Sequence, residues 1–500
     1  MRCRRRVRRS WLVLPLSLLA QGCAVGGSGG AAGGVGPAGR SEGPPVGRDV
    51  VDRLEYPPLR FTPLRPERFT LSNGVPVFFL RDASLPLVSV FVDMKGGHVY
   101  LPRQDFGAAS ALLPLMRNGG TASRSPDSVD EIVESNALGL STSDDGERMV
   151  VGVNSLRRQM GLALDLWADL LLHPRFDSAA VERWRLEELN AIGRDRDFPG
   201  TLAVLEFNHL LYGDHPLGWI MSEADLAPDL VTPARLAEIH GRVVCPRTAV
   251  IGATGDVTRE ELQEALERVL KEWRPCARGL DAPPPLELHA DPVTYVIPSS
   301  LSQSTIVVGQ PGGVLLQDDA DYFASRVANW LIGESGLTSR LATRLRTDSG
   351  LAYSAASIWG ASPDHARIFG AITHTRSDRT LDALRMMTET IDSVRVDPPD
   401  EAEIELARRD LVNGFVFGFD DPLQVVARQV RFLALGLPPD WPDRYVRGVR
   451  AVDRRDVGRV LRKYLDPERF TTLILGDTAH FDLDRVRPYR IVEAPGINNR

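Results

Sequence analysis

Pro246-Arg247-Thr248-Ala249-Val250-Ile251, running into Gly255-Asp256-Val257, returns 221 residues later as Pro467-Glu468-Arg469-Phe470-Thr471-Thr472, running into Gly476-Asp477-Thr478. The helical pattern before each copy keeps its register, Val231, Leu236 and Ile239 matching Val452, Val457 and Val460. Upstream, the strand pair ending at Gly96-Gly97 has its counterpart in the strands ending at Gly312-Gly313, 216 residues on. A drift of a few residues is what loop insertions give. The chain reads as one long unit used twice.

Periodicity fills in each unit. Val75 to Leu80 and Leu87 to Met94 are β-branched and aromatic runs separated by Arg-Asp-Ala-Ser, the pattern of paired strands. Ser125-Pro126 opens a helix by its N-cap and N1 preferences. After a strand over Met149 to Val153, Met160 to Leu172 carries a broad apolar stripe suited to facing a sheet. Thr258 and Glu261 have the spacing of a capping box. The second unit repeats the order, with strands at Thr294–Ile297 and Thr305–Gly309 and helices at Asp319–Ile332 and Leu337–Arg346. Between the units, the proline-rich segment 278–292 reads as a stiff, poorly packable linker. The fold class expected is α+β: two homologous domains, 61–277 and 293–490, each a mainly antiparallel sheet covered by helices and joined as a clam-like pair.

Five hundred residues, 43% hydrophobic and 25% charged, are enough for two cores. Six of the 59 basic side chains lie in the first nine residues, which leaves 53 against 66 acids from residue 23 onward. So acidic a body argues against nucleic-acid binding. The arginines followed by the apolar run Trp11–Ala20 form an export signal over 1–22, too short to span a bilayer. Arg8-Arg9 leaves a twin-arginine route open beside the general one. Ala20-Gln21-Gly22-Cys23 resembles a bacterial lipobox, with alanine where leucine is usual, so Cys23 is the expected lipidation site. Residues 24–48 carry ten glycines and would form a tether of about 25–30 Å reach. These features point to the periplasmic side of a bacterial envelope, with attachment to the membrane through the lipid. In the body, Cys245 and Cys276 read as two partly buried thiols that could also pair.

Several short motifs keep a familiar order: Leu71-Ser72-Asn73-Gly74-Val75-Pro76-Val77, Leu85-Pro86-Leu87-Val88-Ser89-Val90, His173-Pro174-Arg175-Phe176, Tyr212-Gly213-Asp214-His215-Pro216-Leu217-Gly218 and Gly350-Leu351-Ala352-Tyr353-Ser354. Together with the duplication, they resemble the insulinase/pitrilysin family of zinc peptidases, in particular its two-domain branch containing the mitochondrial processing peptidase, over roughly residues 65–480. The resemblance implies an inverted zinc motif, His-x-x-Glu-His, on a helix after the first strand pair. Here that place reads Ser110-Ala111-Leu112-Leu113-Pro114. Serine, leucine and proline supply neither zinc ligands nor a general base. The third ligand position survives as Glu188, a lone carboxylate and more simply a solvated or salt-bridged helix residue. No two of the nine histidines stand three or four residues apart, so no helix face offers a replacement pair. His209 stands six residues before His215, the histidine of a Gly-Asp-His-Pro turn, where His215 reads as structural. Ser110, with no adjacent base, reads as a packing residue.

The resemblance also implies a retained pair. In the family, an arginine and a tyrosine seven residues apart in the C-terminal half hold the substrate backbone and stabilise the oxyanion. Arg346 and Tyr353 have that spacing. The expectation is a chain that binds no metal or cofactor itself and has no independent activity. It would serve as the non-catalytic subunit of a heterodimeric zinc endopeptidase, lending Arg346 and Tyr353 to a homologous zinc-binding catalytic subunit that acts on peptide substrates. The alternative is a structural or peptide-binding scaffold subunit of an envelope complex. A hydrolase with unrelated chemistry finds no triad or metal spacing to support it.

Overall fold

The computed structural model describes residues 62, 64–195, 198–276, 278–289 and 291–492; the export signal, Cys23 and the glycine-rich tether lie outside the described residues. The described residues from 64 on form one compact unit built on two six-stranded sheets. The first half runs β1 (Glu67–Thr70), β2 (Pro76–Arg81), β3 (Leu87–Lys95), α1 (Phe106–Asn118), α2 (Pro126–Ser135), β4 (Gly139–Asp144), β5 (Arg148–Leu156), α3 (Met160–Leu172), α4 (Ser178–Asp195), α5 (Pro199–Tyr212), α6 (Pro233–Val243), β6 (Ala249–Gly255) and α7 (Arg259–Val269). The second runs β7 (Thr294–Pro298), β8 (Gln303–Pro311), α8 (Ala320–Asn329), β9 (Ala352–Ala361), β10 (Ala366–Arg376), α9 (Thr380–Val396), α10 (Glu401–Phe417), α11 (Pro422–Ala434), α12 (Trp441–Ala451), α13 (Arg454–Tyr464), β11 (Thr471–Gly476) and β12 (Tyr489–Ile491).

The sheet orders, β1-β2-β6-β3-β5-β4 and β12-β7-β11-β8-β10-β9, carry the duplication into space. The repeated sequence forms β6 and β11, each parallel to one neighbour and antiparallel to the other. Gly255 ends β6 at φ 143°, and a Cβ there would collide with the Leu87 carbonyl, so the shared glycine is a steric requirement. The remaining pairings are antiparallel except β12 with β7, as an α+β fold with mainly antiparallel sheets requires.

One face of the first sheet packs on its own helices through a core that includes Val90, Val92, Leu112, Leu164 and Trp167. The other face is covered from the second half: Val426 and Val430 of α11 pack on Phe78 and Val250, with Leu80, Phe91 and Leu433 around them. The exchange is reciprocal. Leu202, Ala203, Phe207 and Leu211 of α5 pack on Ile297, Val307, Ile368 and Leu473 of the second sheet. Ion pairs Asp145–Arg431 (2.9 Å) and Glu147–Arg367 (2.5 Å) run alongside.

Three expectations change. Most described residues of 278–292 are exposed, yet the segment is held at two places: Leu286 and Leu288 lie on the α5 cluster, and the His289 N–H donates to the Leu211 carbonyl (2.9 Å). The single helix expected over 337–346 is broken into a 3-10 turn Gly336–Thr338, a short α-turn Arg340–Ala342 and a π-helical turn Thr343–Asp348. A second π-helical turn, Trp330–Glu334, follows α8, and its Gly333 lies so close to Ser357 of β9 that a Cβ would not fit. Finally, Cys245 and Cys276 form a disulfide with Cα atoms 5.5 Å apart, joining the entry of β6 to the segment after α7.

Candidate functional site

The zinc-motif positions lie on α1. Ser110 Oγ donates to the Phe106 carbonyl (3.0 Å), the local bond of a helix serine with no better partner. Leu113 is 3% exposed and belongs to the main core. Pro114 sits inside the helix, where it removes one backbone donor. Glu188 lies on α4, which packs against α1. Among the described residues, no group of three or more His, Cys, Asp or Glu side chains could hold a metal ion. The donor set at the family position does not fit zinc.

His209 and His215 make local structural bonds. Leu217 N–H donates to His215 Nδ1 (3.2 Å), so Nε2 carries the proton toward the Pro284 carbonyl (3.1 Å). Burial holds the His215 pKa below the usual imidazole value. His209 Nδ1 lies 2.9 Å from the Gly218 carbonyl.

Arg346 and Tyr353 do meet, by a local device on each side. Arg346 lies in the π-helical turn Thr343–Asp348, a geometry that re-aims side chains relative to an α-helix. Ser349 Oγ closes that turn on the Arg344 and Leu345 carbonyls (2.7 and 3.1 Å), and Gly350 reverses the chain at φ 60°. At the start of β9, Ala352 pairs with Thr375 and Ser354 with His374, so Tyr353 is the extra residue of a β-bulge. Two buried hydroxyls clamp it: Thr375 Oγ1 donates to the Leu351 carbonyl (2.7 Å) and Thr373 Oγ1 to the Ser354 carbonyl (2.8 Å). The bulge turns the tyrosine outward, leaving it 80% exposed with the Arg346 guanidinium carbon 4.8 Å from its ring centroid.

The stacked pair borders an open cavity of about 520 Å³ at the end of the second sheet. Gln303, His374 and Arg376 join it there because Gln303 is registered with Arg376, and Thr305 with His374. His374 Nδ1 lies 3.0 Å from Thr305 Oγ1, and burial lowers its pKa. Sequence reasoning missed these three residues, and strand alternation was the only signal that could have placed them on one face.

Comparison with known proteins bears on the chain as a whole. The family model described as "Insulinase (Peptidase family M16)" matches residues 77–197, and that described as "Peptidase M16 inactive domain" matches 231–411. An uncharacterized zinc protease of Mycobacterium tuberculosis is 26% identical over 378 residues, 73% of this chain and 83% of that protein. The non-peptidase homolog YmxG of Helicobacter pylori is 23% identical over 56% of this chain and 64% of its own length. A solved structure of a peptidase M16 inactive domain from Pseudomonas fluorescens superposes with a TM-score of 0.73 at 21% identity, covering 83% of this chain and 98% of that one. Both halves thus match one family in chain order, and the chain belongs to the insulinase (M16) peptidase family, as a non-catalytic member with Ser110, Leu113 and Pro114 in place of the zinc motif.

Proposed function

We propose that this chain is the non-catalytic subunit of a heterodimeric zinc endopeptidase, completing the substrate chamber and presenting Arg346 and Tyr353 to a homologous catalytic subunit. The observation that carries the reading is the state of that pair: stacked, exposed and bordering an open cavity, in a chain whose zinc motif has become Ser110, Leu113 and Pro114. A tyrosine needed only for packing would be buried, and a bulge with two buried threonine clamps is a costly way to hold an idle side chain outward. The Tyr353 hydroxyl has no hydrogen-bond partner among the described residues, so its donor is free for a developing oxyanion. Export and lipidation at Cys23 would place the complex on the periplasmic side of the envelope, and no described helix is long and apolar enough to cross a membrane. The test is reconstitution with a His-x-x-Glu-His partner. Tyr353→Phe is expected to lower kcat by about 10² to 10³ with subunit affinity unchanged. Arg346→Ala should raise KM as well as lower kcat. Full activity in both variants, or a partner that needs no help, would instead identify a scaffold subunit.

A further inference from the structure

The cavity beside the pair has a one-sided chemistry. Arg346, Arg376 and His374 line it together with Gln303, Tyr353 and Ser354, and no carboxylate is among the lining residues. Arg346 stacks on Tyr353 and enters no ion pair among the described residues. Arg376 is exposed and, among the described residues, pairs only with Asp378 (2.9 Å), a carboxylate outside the lining. His374 and Arg376 are two residues apart on β10, Gln303 and Thr305 two apart on β8, and the pairs are in register, so all four share a face. That face is the one α5 covers, and Gly200, in a first turn whose N-cap has no side-chain bond, lies against the His374 ring. The volume lies within the roughly 300–1,000 Å³ typical of organic ligand sites, room for a residue or two of peptide rather than a lone ion.

We propose that this cavity is a carboxylate pocket, selecting peptides that present an acidic side chain or a free C-terminal carboxylate to Arg346 and Arg376. The guanidinium fork is matched to a carboxylate, and Gln303 and Ser354 supply further donors at the same end of the sheet. The proposal rests on the reading of Arg346 and Tyr353 as a peptide-binding pair and adds the class of peptide. Basic or uncharged segments would find two guanidinium groups and no counter-charge.

The test uses the full purified chain and one short N-terminally labelled peptide in three forms, read by fluorescence anisotropy. The forms are central glutamate with an amidated end, central glutamine with an amidated end, and central glutamine with a free carboxylate. A carboxylate pocket binds at least one acidic form about tenfold or more tighter than the glutamine amide, and which form it prefers identifies the source. Arg346→Gln and Arg376→Gln should each erase that preference, as should raising the salt, with unfolding midpoints unchanged because neither side chain lies in a core. Equal binding of the three forms that is still weakened by Arg346→Gln overturns the carboxylate proposal and leaves the peptide-binding reading standing. Failure of every form to bind overturns the carboxylate pocket, whereas the reading of Arg346 and Tyr353 as a pair lent to a partner stands or falls by the kinetics of the reconstituted heterodimer.

Discussion

Val426 and Val430 test whether the halves are separate bodies. Both are fully buried on Phe78 and Val250 of the opposite half. Changing both to alanine removes two carbons at each position. At about 0.8 kcal/mol per buried carbon, the transfer term alone comes to about 3 kcal/mol. If roughly half the vacated volume stays open, the cavity adds about 1–2 kcal/mol. The double variant is therefore expected to lose about 3–5 kcal/mol, whereas Gln424→Ala on the exposed side of α11 should change stability by under about 0.5 kcal/mol. Urea unfolding gives the total. Peptide-resolved hydrogen exchange gives its location: β2, β3 and β6 should lose protection together with α11, although no residue of their own half was changed. Loss confined to α11 and the second sheet would show that the exchanged helix is a mere neighbour, and the interlocked reading would fail.

Other outcomes follow from individual residues. Burial pushes the His98 pKa down to about 4 against an ordinary 6.5, so the unfolded chain takes up its proton first as pH falls. Stability should decline from pH 6.5 toward 4, by at most about 3 kcal/mol from this residue, and His98→Gln should flatten that part of the profile in urea melts at successive pH values. The disulfide closes a sequence separation of 31 residues, so Cys245→Ser with Cys276→Ser should cost about 3–4 kcal/mol in a calorimetric or urea comparison under oxidising conditions. Metal analysis of the purified chain should find no stoichiometric zinc and peptidase assays no chelator-sensitive activity. About one zinc per chain would refute the reading of Ser110, Leu113 and Pro114.

The parts legible in the sequence were those fixed by local chemistry. Met160–Leu172 is the helix its stripe predicts, Ser125 accepts from Ser128 N–H as an N-cap, and Thr258 with Glu261 forms the capping box. The 221-residue repeat placed β6 and β11, which hold the same position in their sheets. Partner choice was not legible. The apolar faces of α5 and α11 announce that they are covered, but amphipathicity does not name the sheet that covers them. The break over 337–346 was hidden in small local devices: Gly336 takes φ 65°, and the buried Ser339 restarts the helix as an N-cap that accepts from Ala342 N–H. At the site, the spacing of Arg346 and Tyr353 came from resemblance. The bulge at Tyr353 and the arrival of Gln303, His374 and Arg376 depend on strand register, which one sequence leaves open.

The exchanged helices also set an order of events during synthesis. The first sheet has all its strands once Gly255 has been made, yet the helix that covers its second face is complete only at Ala434. At roughly 5–20 residues per second, the ribosome spends on the order of 10–35 s between the two. Throughout that interval Phe78, Leu80, Phe91 and Val250 wait without their cover, and α5, already made, has no sheet to lie on until β8 and β11 follow. The nascent chain thus stays short of its native state until it is nearly finished.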